Sequence, residues 1–106
     1  MEKQTAGREK LGKIAPKFAE LNDEVLFGEI WSREDKLSLK IRSMITIAAL
    51  AAQGLFPQVK SHIELGKKHG INKEEAVEIA THLAFYCSWA VGWNIIPMIE
   101  EIYKED

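Results

Sequence analysis

Leu37-Ser38-Leu39-Lys40-Ile41-Arg42-Ser43-Met44-Ile45-Thr46-Ile47-Ala48-Ala49-Leu50-Ala51-Ala52-Gln53-Gly54 is the stretch around which the rest of the chain has to be arranged. Beyond Ser43 it has almost no polar side, because Met44, Ile45, Ile47, Ala48, Leu50 and Ala51 cover every direction around a helix. A helix that is apolar all round is either a membrane span or the centre of a packed protein. This run ends at Gln53-Gly54, well short of the roughly 20 apolar residues that a span needs. It therefore predicts a central helix. Such a helix asks for more covering surface than one small chain supplies, which predicts self-association.

Composition narrows the class. The chain has 106 residues, which suits one domain, and its 46% hydrophobic and 28% charged content is that of a folded globular protein. The formal charge of −2 offers no basic footprint for nucleic acid. The start, Met1-Glu2-Lys3-Gln4-Thr5, lacks the apolar stretch of a signal peptide. With Cys87 as the single cysteine, no intrachain disulfide can form, and a reducing cytoplasm is the expected location. No membrane association is expected.

Outward from the central helix everything reads as helix, since no segment alternates apolar and polar residues long enough for a strand. Lys3 to Lys13 is a charged arm or frayed helix. Pro16 suits the first position of a second helix with Phe18, Leu21, Val25 and Leu26 on its apolar side and Gly28 at its end. Ile30-Trp31 followed by charges predicts a turn anchored by an indole. Ser38 is placed to cap the central helix, and Gly54 to terminate it. Pro57 opens a fourth helix ending at Gly70, on which His62, Gly66 and Gly70 form a strip for close approach of another helix. Asn72-Lys73-Glu74-Glu75 has the pattern of a capping box. The helix after it carries the stripe Ala76, Ile79, Ala80, Leu83 and Cys87. The last helix, from Ser88 to Tyr103, contains Pro97, which is expected to kink or break it.

Few residues can carry chemistry. His62 exchanges a proton near neutral pH, or else is a hydrogen-bonded histidine in a helix interface. His82 follows Glu78 by four residues, so a charge pair can orient it; the plain alternative is a solvated pair. His69, just before Gly70, suits a helix C-terminus, where a cation is favoured. Arg42 enters the apolar run and calls for a carboxylate, either an anionic ligand or one of Glu20, Asp23 and Glu64. Arg33, in the loop after Trp31, can play the same part, or else is a solvated loop charge. Cys87 lies on an apolar stripe and reads as a small hydrophobe rather than a reactive thiol. Trp89 and Trp93 share a helix face as core, subunit contact or pocket wall. The histidines lack metal-ligand spacing, so no metal site is expected.

Ala15-Pro16-Lys17-Phe18-Ala19-Glu20-Leu21-Asn22-Asp23-Glu24-Val25-Leu26-Phe27-Gly28-Glu29-Ile30-Trp31-Ser32-Arg33 resembles the entry segment of carboxymuconolactone decarboxylases. So do the Arg42-Ser43 step with the apolar run after it, the His62 helix with its Gly70 end, and His82-Leu83-Ala84-Phe85-Tyr86. The resemblance spans nearly the whole chain. It implies an all-α, AhpD-like orthogonal bundle of about six helices, a single domain over 1–106, assembled as a hexamer or as trimers with sites near subunit contacts.

It also implies a reaction: loss of carbon dioxide from 4-carboxymuconolactone to give 3-oxoadipate enol-lactone, a step of aromatic compound catabolism that needs no cofactor. The protein must bind a dianionic lactone, keep the leaving carboxylate poorly solvated and deliver a proton to carbon. The resemblance makes His62 and His82 the candidate acid and orienting group, and Arg42, Arg33 and Trp89 the substrate contacts. The sequence departs from the family where Ala-Gly-Trp-Pro is common, reading Cys87-Ser88-Trp89-Ala90, which leaves a related lactone or a β-keto acid open as substrate. The AhpD-like peroxidases of the same superfamily carry Cys-x-x-Cys-x-x-x-His, and here Leu55 and Gln58 stand at those cysteine positions. A redox protein working through Cys87 and a non-catalytic helical oligomer are the remaining alternatives.

Overall fold

The structure is a computed structural model that describes residues 1–105. Every regular element in it is helical, with no strand among the described residues, so the fold is all-α. By contact the chain divides into two compact units, Met1–Leu39 and a second beginning at Lys40.

The first unit holds α1 (Ala6–Leu11), α2 (Pro16–Glu20) and a π-helical segment, Leu21–Ile30, that continues α2 without a break. Pro16 starts α2 as its sequence position predicts. The winding from Leu21 onward does not follow the prediction. The backbone runs through Gly28 and closes with a Trp31 N–H to Leu26 carbonyl bond of 2.9 Å, five residues back. A helix of that pitch no longer stacks residues three and four apart, so the expected apolar side fans out. Phe18, Leu21, Val25 and Leu26 are all exposed. The indole anchor does form: Trp31 is buried and packs against Phe27, with ring centroids 5.8 Å apart.

Asp23 ties this unit together. Its carboxylate, buried, accepts the backbone N–H groups of Gly7 and Arg8, both at 2.9 Å, at the start of α1. The Asn22 amide donates to the same carboxylate. That amide first, and then the two N–H groups, hold the Asp23 carboxyl below the usual carboxylate range against the opposing effect of burial.

The second unit holds α3 (Leu39–Ala52), α4 (Phe56–Lys68), α5 (Lys73–Tyr86) and α6 (Trp89–Ile102). Two turns follow from two glycines. Gly54 and Gly70 have φ of +72° and +99°, conformations open to a residue without Cβ. Each ends its helix in a Schellman pattern: Leu55 N–H reaches the Leu50 carbonyl and Gly54 N–H that of Ala51, and Ile71 and Gly70 repeat this on Gly66 and Lys67. Asn72 and Glu75 form the expected capping box, with bonds of 2.8 and 3.0 Å. Ser88 caps α6 by accepting the Val91 N–H.

Helix α6 runs through Pro97 unbroken to Ile102, so of the two expected effects, a kink or a break, the break does not occur. Proline removes the hydrogen bond to the carbonyl four residues back, that of Trp93. Trp93 and Pro97 both lie on the exposed side, where water can take the place of the missing donor. Helix α3 also differs from expectation. Ser43, Ile47 and Ala51 are buried, but Ile41 and Ile45 are 44% and 54% exposed, because other helices of this chain cover one face of it only. The core, from Ile47, Val59 and Ile63 to Ile95, Ile99 and Tyr103, lies among the four helices. Among the described residues no helix is long and apolar enough to cross a membrane.

Candidate active site

Gly66 lies where α4 faces α3. A Cβ there would stand in ordinary contact with α3, 3.5 Å from Ser43 Cβ and 3.6 Å from Ile47 Cδ1, and only Ile71 Cδ1, at 2.7 Å, would have to shift, so the unusually close helix approach expected of the His62-Gly66-Gly70 strip is not seen against α3. Ser43 is fully buried there, with its hydroxyl 2.8 Å from His69 Nδ1. His69 is the C-cap of α4, as its sequence position predicts. Its bond to Ser43 was not legible in the sequence. The one signal is that Ser43 is the polar residue at the point where an otherwise apolar helix begins.

His62 lies one turn before Gly66 and is half-buried. Burial is the main cause that pushes its proton affinity below the ordinary histidine value, and the charge of His69 adds to the effect. Its surroundings therefore favour the neutral imidazole. Arg42 precedes Ser43 on α3, half-buried, and its carbonyl accepts the Thr46 hydroxyl at 2.8 Å. Arg42, Ser43, His62 and His69 thus belong to the same pair of helices.

His82 is elsewhere. It is exposed on α5 and lines a groove of about 440 Å³ whose other walls include Met44, Ile45 and Ala48 of α3 and Glu75 and Glu78 of α5. Its ring stacks on Tyr86, centroids 4.7 Å apart, rather than pairing with Glu78. Glu75, held below the usual carboxylate range chiefly by the Asn72 N–H and then by Lys40, is occupied by its cap and by the Lys40 ammonium at 2.7 Å. Neither Arg42 nor His62 lines this groove.

Trp89 marks a third place. With Trp93, Ile96 and Pro97 it lines a cleft of about 280 Å³ against Ala80, Thr81 and Ala84, opened by the close packing of Gly92 on Ala84. No charged side chain lines it. Trp89 and Trp93 are 64% and 71% exposed, so the core reading of the pair does not hold within one chain. Phe85 meets Trp89 edge-on at 6.0 Å. Arg33 sits in the exposed turn of the first unit. Cys87 is a free, half-buried thiol at the end of α5. Among the described residues no group of three or more His, Cys, Asp or Glu side chains could hold a metal ion.

Comparison with known proteins gives two matches. The family model described as Carboxymuconolactone decarboxylase family matches residues 16–101. A 4-carboxymuconolactone decarboxylase of Acinetobacter baylyi is 29% identical over 97 residues, covering 92% of this chain and 72% of that protein.

Proposed function

The chain belongs to the carboxymuconolactone decarboxylase family, and from that premise we propose that it removes carbon dioxide, without a cofactor, from 4-carboxymuconolactone or a closely related carboxylated lactone. What carries this reading is the family match across most of the chain, joined by a decarboxylase-named relative of similar extent. The bond between the lactone carbon and its carboxylate breaks. The electron pair passes into the conjugated lactone, carbon dioxide leaves, and a proton is added to carbon. The substrate itself accepts the electrons, so the protein has to supply binding, poor solvation and an acid.

His62 is the acid in this scheme. A half-buried imidazole is neutral while the site is free, but a dianion beside it favours the charged form and loads it with a proton. Arg42, two residues before the apolar part of α3 begins at Met44, receives a carboxylate in the manner of charge-assisted pairing, with Arg33 the second candidate. His82 and Trp89 line other clefts of the chain, so in this scheme they orient the substrate and contact its ring only from a neighbouring subunit of the assembly. We further propose that the protein acts as an oligomer, a hexamer or a trimer. Ile41, Ile45, Phe85, Tyr86, Trp89 and Trp93 are all exposed in the single chain, more apolar surface than a monomer usually leaves uncovered.

The test is carbon dioxide release from 4-carboxymuconolactone by the purified protein beside its His62→Ala variant, with light scattering of both. Turnover lost in the variant, with assembly retained, is the expected result. Turnover kept by the variant removes His62 as the acid, and no turnover by the intact oligomer removes the substrate assignment.

A further inference from the structure

We propose that the aromatic face of α5 and α6 is a two-fold interface with a second copy of this chain, in which Phe85 of each copy enters the Trp89–Trp93 cleft of the other. The inference rests on the reading of the protein as an oligomer, names the face that pairs, and is measured without turnover.

The sequence marks the face first. From Leu83 to Ile99 no Asp, Glu, Lys or Arg occurs, in a chain that is 28% charged. Much of this uncharged run is nevertheless outside: Phe85, Trp89 and Trp93 are 77%, 64% and 71% exposed, and Tyr86 and Ile96 are exposed as well. Enriched aromatic rings and missing charges are what distinguish the core of an interface from ordinary surface. The area is of the right order. An aromatic side chain offers about 150 to 250 Å². At their exposures Phe85, Trp89 and Trp93 leave about 320 to 530 Å² in water. A stable dimer covers about 800 Å² on each partner. Three rings thus supply about half of that area, and Tyr86, Ile96 and Pro97 extend the patch.

The face carries both halves of a contact. Trp89, Trp93, Ile96 and Pro97 wall a cleft of about 280 Å³ against Thr81 and Ala84. An apolar cavity of about 150 Å³ already takes a benzene-sized ring. The Thr81 hydroxyl donates to the Val77 carbonyl at 2.8 Å, so it asks no partner of whatever enters. Phe85 follows Thr81 by one turn of α5 and meets Trp89 edge-on, with ring centroids 6.0 Å apart, but it does not line the cleft. It stands beside the opening as a projecting ring. A knob and a hole on one patch make that patch self-complementary, and such a contact closes about a two-fold axis.

Other exposed apolar places lack these features. The groove beside Ile45 of α3 has Glu78 and His82 in its walls. In the first unit, Phe18, Leu21 and Val25 are interspersed with the exposed charges of Lys17, Glu20 and Glu24. Where the decarboxylase scheme holds, the α5–α6 face is the one on which Trp89 meets a neighbouring subunit.

Sedimentation velocity and iodide quenching of the full chain test this together. Of the three tryptophans, Trp31 is buried within the single chain, whereas Trp89 and Trp93 are open until a partner covers them. The parent at micromolar concentration should have an even number of subunits and indoles shielded from iodide. In Phe85→Asp, which sets a charge against the partner's apolar cleft, the subunit number should halve and two of the three indoles should become quenchable. Circular dichroism reports whether the helices are kept. Phe85→Ala should raise the dissociation constant at least about 30-fold, the mark of an anchoring side chain. A monomeric parent overturns the oligomer reading and this inference with it. An odd-numbered parent, or an oligomer whose Trp89 and Trp93 stay open to iodide, overturns this inference alone, as does a folded Phe85→Asp protein that sediments like the parent. Quenching of the parent needs no variant, so the test stands even if Phe85→Asp fails to fold.

Discussion

Replacing Tyr103 by Phe should unfasten the turn that carries His69 and Gly70 while leaving the core volume almost unchanged. Tyr103 and Ile71 are 1% and 2% exposed, and the Tyr103 hydroxyl donates to the Ile71 carbonyl at 2.6 Å. The ring stays buried in the variant, so little apolar transfer energy is lost. What remains is a buried carbonyl whose donor has gone, worth about 1 to 3 kcal/mol. With a urea slope of about 2 kcal/mol per molar, the unfolding midpoint should fall by about 0.5 to 1.5 M at an unchanged slope. Both proteins must be compared at one protein concentration, because an assembly stabilises its subunits by mass action. Hydrogen exchange should localise the effect, with the Gly70 and Ile71 amides losing protection ahead of those in the middle of α5. A midpoint within about 0.2 M of the parent would refute the reasoning, since water must then reach the Ile71 carbonyl.

Gly70→Ala should destabilise by about 1 to 2 kcal/mol, because φ of +99° is strained for any residue with a Cβ; chemical denaturation of the pair checks it. Asn72→Ala breaks the capping box and should cost about 0.5 to 2 kcal/mol, read from the same transition and from fraying of the first turn of α5. In Asp23→Ala the Gly7 and Arg8 amides should lose protection from exchange while α4 to α6 keep theirs. The parent should show the same loss in acid. The Asp23 carboxyl is held low, so its contribution is complete above the unfolded-state value and disappears as pH falls through the lower folded-state one. His62 gives a slope of the same sign near neutrality. Its folded-state proton affinity is lowered, so the unfolded chain binds more protons below the ordinary histidine value, and stability should fall as pH drops through that region. In His62→Gln that part of the slope should vanish from denaturation midpoints measured against pH.

Local chemistry made much of the second unit legible. A glycine at a helix end, an Asn three residues before a Glu and a proline at a helix start each act through their nearest backbone groups, and the structure places Gly54, Gly70, Asn72 and Pro57 as those rules require. The misses share one cause, which is that burial depends on partners distant in sequence. The spacing of Phe18, Leu21, Val25 and Leu26 suits an α-helical face, but the segment winds with a wider pitch from Leu21 onward, and all four side chains are exposed. Pro97 is a breaker by rule, yet it falls on the side of α6 where the freed carbonyl can meet water. The Ser43–His69 contact joins residues 26 apart, which no local rule announces.

Residue type cannot rank His62 against His82; environment can. His82 is exposed and stacked on Tyr86, so solvent screens whatever charge a ligand brings to it. His62 is half-buried, and the same charge acts on it through less water. A group that must be neutral when the site is empty and charged when an anion arrives has to be poorly solvated, because only then does one added carboxylate outweigh bulk solvent. That requirement favours the α3–α4 face over the α3–α5 groove as the place where a proton would be handed to carbon. The carboxylate of Glu78 in the groove argues the same way, since a dianion approaching His82 would meet like charge there, whereas Glu75 is already paired with Lys40.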